Sequence, residues 1–345
     1  MKAGAAPSLP ARPPLRIKVP ATSANLGPGF DSVGLALSFG LTVEVYPQAD
    51  TARGGGASLE APRWQVEMPA PALGAADLSG LPTDEGNLII QTALAVAAGY
   101  GAAGSGGAGG RALPPCRLVV RSEIPLARGL GSSASAIVAG AILANELGGL
   151  GLAPGDLVTV AARLEGHPDN VAPAVLGGLV IAAQGGVPVT FVRTHLPPAD
   201  IVLCIPDYPV PTVTARAALP ATLPFADAVL ASARANVLVA ALLSGDWPAA
   251  GPMLGGDLFH ERFRQPLLPD YPRLREVALA AGAYGAALSG AGPTVIAFAP
   301  PGRGPAVADA FRAAFPRFET RVATEERRGA TVVGRGRPWP AGARR

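Results

Sequence analysis

A glycine-rich segment near the middle of the chain has the residue types of a phosphate-binding loop. Its residues are Pro125, Leu126, Ala127, Arg128, Gly129, Leu130, Gly131, Ser132, Ser133, Ala134 and Ser135. Gly129 and Gly131 can adopt positive φ, so that successive main-chain N–H groups turn toward a single anion. The hydroxyls of Ser132 and Ser133 can bind phosphate oxygens or Mg²⁺. These residues predict a site for a phosphorylated ligand.

The elements predicted on either side of this loop support the same chemistry. The run Cys116–Ile124 predicts a strand, and the alanine-rich run Ala134–Leu147 predicts a helix that ends at Gly148. The free N–H groups and the positive dipole end of that helix would face the loop. A tight strand-to-helix connection without a ligand could use the same two glycines. The arginine, the paired serines and the alanine-rich helix together favour the phosphate site.

The loop differs from the two common nucleotide-binding motifs. The chain contains no Gly-Lys-Ser or Gly-Lys-Thr, and its only lysines are Lys2 and Lys18. This excludes a Walker A loop. The segment also does not fit Gly-x-Gly-x-x-Gly, which disfavours a dinucleotide site of the Rossmann type.

Three further segments place polar residues in surroundings rich in glycine and proline. They are Val19–Ser32, Glu165–Pro173 and Leu288–Thr294. On local grounds, Asn25 and Asp31 are also ordinary turn residues. A glutamate at the end of a helix is usually a solvated charge, and a lone histidine is usually structural. The residues alone leave these roles open.

Together with the loop, these segments resemble the motifs of the GHMP small-molecule kinases. Among the branches of that family, which include galactokinase and mevalonate kinase, they are most similar to homoserine kinase. The four motifs occur in the family's order from Val19 to Thr294 and so span most of the chain. This combination is far more specific than any one motif.

The resemblance implies an α+β fold of two domains with the active site in the cleft between them. The N-terminal domain would be like domain 2 of ribosomal protein S5, and the C-terminal domain would be ferredoxin-like. With the Pro197-Pro198 pair near the boundary, we expect an ATP-binding domain at 15–196 and a second domain at 197–334. Residues 1–14 would form a disordered leader and residues 335–345 a flexible tail.

The resemblance also implies the reaction. It is the Mg²⁺-dependent transfer of a phosphoryl group from ATP to L-homoserine, which gives O-phospho-L-homoserine in threonine biosynthesis. ATP would bind the segment 125–135, and Ser133 and Glu165 would hold Mg²⁺. Asn170 would orient the acceptor hydroxyl, and Asp169 would assist without being an indispensable base. Glu165, Asp169 and Asn170 are therefore the predicted catalytic residues.

Homoserine is a zwitterion, so its pocket must hold an ammonium group and a carboxylate. By resemblance, Asp31 binds the ammonium with Asn25 nearby, and Arg216 and Arg264 bind the carboxylate. An arginine fork suits a carboxylate because it can donate two parallel hydrogen bonds. The choice between Arg262 and Arg264 stays open, because the surrounding residues depart from the family pattern. The remaining predicted substrate contacts are His167, Thr212 and Gly290.

Two alternatives are kept. One is another GHMP kinase, such as a mevalonate or diphosphocytidyl-methylerythritol kinase. The mevalonate branch has a lysine beside the acceptor hydroxyl, whereas the matching region here reads Pro20-Ala21-Thr22-Ser23. The other alternative is a non-catalytic RNA-binding protein with an S5-like fold.

Composition limits the remaining possibilities. With 345 residues, 49% hydrophobic and 15% charged, the chain has enough apolar material for two cores. A net charge of +3, with arginines concentrated near the C-terminus, does not indicate a nucleic-acid partner.

Cys116 and Cys204 suit buried positions in a reducing compartment. The longest apolar stretch, taken as Ala172–Ala183, is too short to cross a membrane. We therefore expect a cytoplasmic enzyme and, from the resemblance, a homodimer.

The remaining elements are predicted from periodicity and turn residues. Further strands are expected at 16–19, 38–46, 64–68, 178–183, 201–205, 294–299, 318–322 and 330–333. Further helices are expected at 87–99, 154–165, 225–243, 272–281 and 306–315. The order mixes strands and helices without the regular alternation of a doubly wound sheet.

Overall fold

A computed structural model describes residues 15–47, 64–72, 74–101 and 112–334 of the chain. The leader at 1–14, the tail at 335–345 and most of the loop at 99–111 lie outside the described residues. The strands are β1 (Leu15–Ala24), β2 (Val33–Pro47), β3 (Gln65–Glu67), β4 (Cys116–Ser122), β5 (Leu179–Ala183), β6 (Thr190–Thr194), β7 (Asp200–Ile205), β8 (Gly285–Leu288), β9 (Val295–Ala299), β10 (Glu319–Ala323) and β11 (Thr331–Val333). The helices are α1 (Leu88–Gly101), α2 (Ser132–Gly148), α3 (Pro154–Glu165), α4 (Pro168–Leu176), α5 (Thr212–Ala217), α6 (Phe225–Ser244), α7 (Trp247–Leu254), α8 (Glu261–Arg264), α9 (Tyr271–Ala280) and α10 (Gly304–Ala314).

The N-terminal domain is a mixed sheet packed against helices. The strand order is β11-β1-β2-β4-β3, and β5 pairs with both β2 and β6. All pairs are antiparallel except β3 with β4. In β1 the side chains of Leu15, Ile17 and Val19 are buried, while Arg16 and Lys18 are exposed, as the period of two requires. Most residues of α2 are buried in the same core, because alanine and glycine allow close packing between helices.

The C-terminal domain has the connectivity of a ferredoxin-like fold. Its sheet has the order β10-β7-β9-β8, with every pair antiparallel. The chain passes through β7, α9, β8, β9, α10 and β10, which is a β-α-β-β-α-β arrangement. Helices α5 to α8 are inserted between β7 and α9. The two-domain α+β fold expected from the sequence is thus confirmed.

The end of the chain returns to the first domain. The sequence analysis assigns residues 330–333 to the second domain, but β11 pairs antiparallel with β1, with Ile17 opposite Val332. A strand of three residues carries too little pattern to choose between two sheets, so its partner is set by tertiary contacts.

Proline accounts for three of the differences from the predicted elements; β6, α5 and α8 were also not predicted. β1 was expected to end before Pro20, but the strand continues to Ala24 through a register shift between Pro20 and Ala21. A bulge tolerates the missing N–H group of proline. Helices α4 and α7 were not predicted, since each contains proline both in its first turn and inside. The short strand β8 was also missed, because all four of its residues are buried and show no alternation.

Helix α6 corrects the statement about apolar stretches. Among the described residues it is long and apolar enough to cross a membrane by length and composition alone, and 22% of its apolar window is buried. The core helices of water-soluble proteins pass the same test. Both cysteines are buried, as expected. Burial raises the pKa of the Cys204 thiol to about 12, which keeps it protonated.

Candidate active site

The glycine-rich loop follows β4 and ends at the N-terminus of α2. Gly129 has φ 75° and Gly131 has φ 73°, values that favour glycine. A Cβ atom on Gly131 would lie 2.1 Å from Thr22 Oγ1, so a side chain cannot fit there. Gly131 is the N-cap of α2, and no side chain caps the helix. The first-turn N–H groups of α2 therefore remain available for a ligand beside the loop.

The turn between β8 and β9 packs directly on this loop. The hydroxyl of Ser289 donates to the Gly129 carbonyl oxygen at 2.6 Å, and the Gly290 N–H donates to the carbonyl of Ala24 at 3.0 Å. A Cβ atom on Gly129 would lie 2.1 Å from the carbonyl oxygen of Ser289. The second glycine turn of the sequence analysis thus connects the two domains at the edge of the site.

A pocket between the domains brings the predicted substrate and catalytic residues together. Its lining residues are Asn25, Phe30, Asp31, Ala127, Gly129, Gly131, Ser132, Ser133, Glu165, His167, Asp169, Asn170, Thr212, Arg216, Arg264, Gly290 and Ala291. They come from six separate segments of the sequence. The pocket therefore depends on the tertiary fold rather than on a single motif.

A second cavity, of about 260 Å³, adjoins the first at Ser132 and Ser133. Its walls are largely aliphatic and include Leu41, Leu81 and Ile89. The sequence analysis did not predict it. Its lining comes from β2, from the segment after β3 and from α1, and no local motif connects these elements.

The loop residues divide among the two cavities and the protein interior. Ala127, Gly129, Gly131, Ser132 and Ser133 line the first cavity, and Leu126, Ser132, Ser133 and Ser135 line the second. Pro125, Arg128, Leu130 and Ala134 line neither. Arg128 instead donates to the carbonyl oxygens of Pro206 at 2.9 Å and Asp207 at 3.0 Å, and so ties the loop to the second domain.

Ser133 and Glu165 form a pair of oxygen donors beside the loop. The Ser133 hydroxyl donates to Glu165 Oε2 at 3.1 Å. Burial raises the pKa of Glu165 above its usual value, and His167 and the bond from Ser133 oppose part of this effect. Two hard oxygen ligands next to a phosphate loop suit Mg²⁺, which binds few carboxylates and shares its other positions with water and phosphate.

The N-terminus of α4 presents a connected network of polar side chains. His167 Nδ1–H donates to Asp169 Oδ1 at 2.5 Å, and Asn170 Nδ2 donates to the same oxygen at 3.3 Å. The hydroxyl of Thr22 donates to Asn170 Oδ1 at 2.8 Å. Burial lowers the pKa of His167, but the hydrogen bond and charge of Asp169, with the charges of Asp31 and Glu165, outweigh this and raise it.

Asp31 and Arg216 both line the pocket and form an ion pair with each other. Arg216 Nη2 donates to Asp31 Oδ1 at 2.8 Å, and Nη1 donates to Oδ2 at 3.0 Å. Asp31 belongs to the loop between β1 and β2, and Arg216 belongs to α5. The hydrogen bond from Arg216 to Asp31 raises the pKa of Arg216, and burial opposes this effect.

The structure places Arg264, not Arg262, in the pocket. Arg264 is 2% exposed, and its Nε and Nη1 donate to the carbonyls of Ala215 at 3.2 Å and Gly290 at 3.1 Å. Burial, with Arg216 nearby, lowers the pKa of Arg264 to about 10, so the group stays charged at neutral pH. Arg262 points outward and pairs with Asp227 at 2.7 Å.

His260 supports Arg264 from behind and was given no role by the sequence analysis. The imidazole is completely buried. Its Nδ1 accepts from Arg264 Nη1 at 3.0 Å, and its Nε2 donates to the Gly27 carbonyl at 3.2 Å. Burial is the main cause that lowers the pKa of His260, so the ring is neutral and can accept from an arginine.

Phe30 completes this group of residues. Its ring stacks on His260 with 5.0 Å between centroids. The guanidinium carbons of Arg216 and Arg264 lie 5.6 and 5.5 Å from the Phe30 centroid, within the range of a cation–π interaction. Sequence reasoning missed three residues: Thr22 and Phe30, which lie inside the segment Val19–Ser32, and His260, which lies two positions before Arg262. Their position within or beside residues already chosen as candidates was the signal that could have identified them.

Comparison with known proteins identifies the class first. The family model for the N-terminal domain of GHMP kinases matches residues 87–178, and the model for the GHMP kinase C-terminal domain matches residues 238–317. With the two domains and the pocket between them, these matches define a GHMP kinase.

Relatives at higher identity narrow the class. The chain is 48% identical over 282 residues to a homoserine kinase of Limosilactobacillus fermentum, covering 82% of this chain and 87% of the relative. It is 45% identical over 286 residues to that of Streptococcus thermophilus, covering 83% and 88%. A solved structure assigned to homoserine kinase of Listeria monocytogenes is 39% identical with a TM-score of 0.73, and the alignment covers 93% of this chain and all of that one.

The chain therefore belongs to the homoserine kinase family. It is an enzyme, a phosphotransferase with an alcohol group as acceptor. This confirms the family expected from the four motifs and sets aside the RNA-binding alternative.

Proposed function

We propose that the enzyme transfers the terminal phosphoryl group of ATP to the side-chain hydroxyl of L-homoserine and releases O-phospho-L-homoserine. The observation that carries the proposal is a single pocket in which the glycine loop lies opposite the carboxylate of Asp31 and the guanidinium groups of Arg216 and Arg264. Homoserine has one ammonium group, one carboxylate and one hydroxyl, and each has a matching partner. The names of the relatives support the same substrate.

On the nucleotide side, the phosphates lie against the loop and the base enters the aliphatic cavity. The main-chain N–H groups near Gly129 and Gly131 and the start of α2 offset the negative charge of the phosphates. The cavity of about 260 Å³ meets the loop at Ser132 and Ser133, so a ligand can occupy both regions at once.

Ser133 and Glu165 hold Mg²⁺ in this proposal. Their oxygen atoms lie 3.1 Å apart next to the loop, and both are ligands that the ion prefers. The ion neutralises charge on the phosphate oxygens as phosphoryl transfer proceeds.

On the acceptor side, Asp31 binds the ammonium group, and Arg216 and Arg264 bind the carboxylate. Thr212 and His167 also line the pocket. Asn170 is held by Thr22 and Asp169, and its amide orients the hydroxyl of the substrate. Asp169 assists, but its Oδ1 already accepts from two donors. A loose transition state tolerates a late loss of the hydroxyl proton, so positioning and electrostatics suffice.

The mevalonate alternative fits the pocket less well. Mevalonate has a carboxylate but no ammonium group, so it would leave Asp31 without a partner. Among the described residues the only lysine is Lys18, which is exposed on β1 and does not line the pocket. Thr22, which belongs to the region that resembles the lysine region of the mevalonate branch, donates to Asn170 instead.

An acceptor screen tests the function. Purified enzyme with MgATP should release ADP when L-homoserine is added and respond little to mevalonate or galactose. Phosphorus NMR should show a phosphate monoester on the hydroxyl of homoserine. Turnover of mevalonate alone would overturn the substrate while leaving a GHMP kinase in place.

We also propose that the enzyme acts in the cytoplasm as a homodimer formed through α6. The exposed side of this helix carries Ala226, Ala233 and Ala240 seven residues apart, next to exposed Leu230 and Val237. A heptad spacing of small and aliphatic residues suits a second helix packed along it. The other side of α6, including Leu238, is buried in the protein. The helix thus lies on the folded domain rather than across a membrane.

Light scattering coupled to size-exclusion chromatography tests the assembly. Wild-type enzyme should elute with the mass of a dimer, and Val237→Glu should elute as a monomer. Val322→Glu is the matched control, because Val322 is exposed to a similar extent on β10, 50% against 46% for Val237. A dimer mass for both variants would exclude α6 as the interface.

A further inference from the structure

The two groups proposed to bind opposite ends of the substrate are bonded to each other in the structure. Asp31 and Arg216 make two parallel hydrogen bonds of 2.8 and 3.0 Å. This bidentate geometry is the strongest arrangement of a carboxylate with a guanidinium. The side chains are 33% and 43% exposed, so a solute in the pocket can reach both.

The backbone on the Asp31 side holds its carboxylate in place. Asp31 has φ 53°, and its N–H donates to Asn25 Oδ1 at 3.0 Å. Asn25 in turn donates from Nδ2 to the Gly290 carbonyl at 2.9 Å. Because the loop is fixed by these bonds, Asp31 cannot easily follow Arg216 if the arginine turns to a ligand.

Arg264 differs from Arg216 in its partners. Its Nε and Nη1 donate to two carbonyl oxygens and to the neutral ring of His260. Within the described part of the chain, no carboxylate lies within 4.0 Å of its nitrogen atoms. Asp31, Arg216 and Arg264 therefore combine one ion pair with one additional positive charge.

We propose that the ion pair between Asp31 and Arg216 is an interlock that makes binding depend on both charged ends of the substrate together. This inference rests on the proposed function and adds to it a source of specificity. The ammonium group of homoserine replaces Arg216 as the partner of Asp31. The released Arg216 then joins Arg264 on the carboxylate. Asp31 thus exchanges Arg216 for the ammonium group, and Arg216 exchanges Asp31 for the carboxylate.

Analogues with only one charged end cannot complete this exchange. 4-Hydroxybutyrate lacks the ammonium group, so its carboxylate must compete with Asp31 for Arg216. 3-Aminopropan-1-ol lacks the carboxylate, so its ammonium must compete with Arg216 for Asp31. If 4-hydroxybutyrate takes Arg216, Asp31 loses its partner, and if 3-aminopropan-1-ol takes Asp31, Arg216 loses its partner; either loss is costly where water is partly excluded. The enzyme thereby rejects hydroxy acids and amino alcohols more strongly than the loss of one contact would.

The test is the affinity of these analogues for the intact enzyme by isothermal titration calorimetry, with a non-hydrolysable ATP analogue and Mg²⁺ present. Asp31→Asn should weaken homoserine binding at least tenfold because the ammonium loses its partner. The same variant should tighten 4-hydroxybutyrate binding roughly fivefold, since Arg216 is released. Reciprocally, Arg216→Gln should tighten 3-aminopropan-1-ol binding. Asp227→Asn is the matched control, because it removes a carboxylate that pairs with Arg262 outside the pocket.

The interlock is overturned if 4-hydroxybutyrate binds Asp31→Asn as weakly as wild type or more weakly. Asp31 would then be an ammonium ligand and nothing more. That result leaves the proposed function intact, because homoserine binding would still be weakened. Failure of the proposed function is a separate result, namely no turnover of homoserine by the wild-type enzyme.

Discussion

The nucleotide side and the acceptor side of the pocket are built in different ways. The proposed phosphate site on the nucleotide side is one continuous segment, in which positive-φ glycines lead into the uncapped N–H groups at the start of α2. The acceptor side is made of charged side chains from separate segments, with Asp31 in the first domain and Arg216 and Arg264 in the second. One side depends on backbone conformation and the other on the relative placement of charges.

This difference predicts different sensitivities to substitution. A single Cβ atom should damage the nucleotide side, because the loop leaves no room for it. On the acceptor side, the loss of a charge or of a supporting hydrogen bond should matter more than volume. Glu165 lies where the two sides meet, and its replacement should have the largest effect.

Glu165→Ala should lower the turnover number roughly 10²–10³-fold or more, because it removes the charge that we propose holds Mg²⁺ beside the transferred phosphoryl group. Homoserine affinity, measured by calorimetry, should change much less. Glu165→Gln keeps the size of the side chain without its charge and should be nearly as impaired. Equal losses of turnover and homoserine affinity would instead assign Glu165 a structural role.

Gly131→Ala should reduce kcat/KM for ATP about 10- to 100-fold through backbone strain and through the collision with Thr22 Oγ1 at 2.1 Å. Gly151→Ala is the matched control. Gly151 has φ 71°, but nothing lies within 4 Å of the added Cβ atom. Steady-state kinetics on both variants separates local strain from distortion of the loop. A similar loss in both would contradict the special role of the loop.

His260→Leu should raise the KM for homoserine about tenfold with a smaller change in kcat, because Arg264 loses a buried acceptor. His260→Asn should restore part of the affinity, since the Asn oxygen can accept from Arg264 at the position of Nδ1. His195→Leu is the control, as His195 lies on the surface and contacts Glu325. If Leu and Asn at position 260 give the same KM, the hydrogen bond does not position Arg264.

Glu261→Gln should have the smallest effect, a pH-dependent change in stability. The carboxylate of Glu261 accepts from the Leu288 N–H at 3.0 Å and so supports the turn that borders the acceptor side. Burial raises the pKa of Glu261 to about 7. Since the folded state binds this proton more tightly than the unfolded state, wild-type stability falls as pH rises from the usual carboxyl pKa toward 7.

The Glu261→Gln variant has no carboxyl group at this position, so its stability does not change with pH for this reason. The melting temperature of the variant minus that of the wild type should therefore be a few degrees higher at pH 8 than at pH 5. Thermal unfolding followed by circular dichroism at both pH values measures the difference. A constant difference across this range would show that the pKa of Glu261 is the same in the folded and unfolded states.

The phosphate loop could be predicted from the sequence because its conformation is determined within about ten adjacent residues. The flanking strand, the positive-φ glycines and the start of α2 are all local features, and the structure shows them where they were expected. The motif order likewise identified the family and, through it, the two-domain fold.

The acceptor side could be predicted only as a set of candidate residues. In the short helix α8, Arg262 and Arg264 are two positions apart and therefore point in different directions. Packing of α8 against the rest of the domain buries one and exposes the other. The aliphatic cavity, the support from His260 and the return of β11 to the first sheet also depend on segments far apart in sequence.

The sequence alone thus determined the loop, the chemistry of the residues that surround it and the family, because these follow from local spacing and residue type. The tertiary structure decided which charges meet, above all the contact between Asp31 and Arg216 across 185 positions of the chain. Coulombic and hydrogen-bond energies depend on distances of a few ångströms. Those distances are set by the packing of two domains and not by separation along the chain.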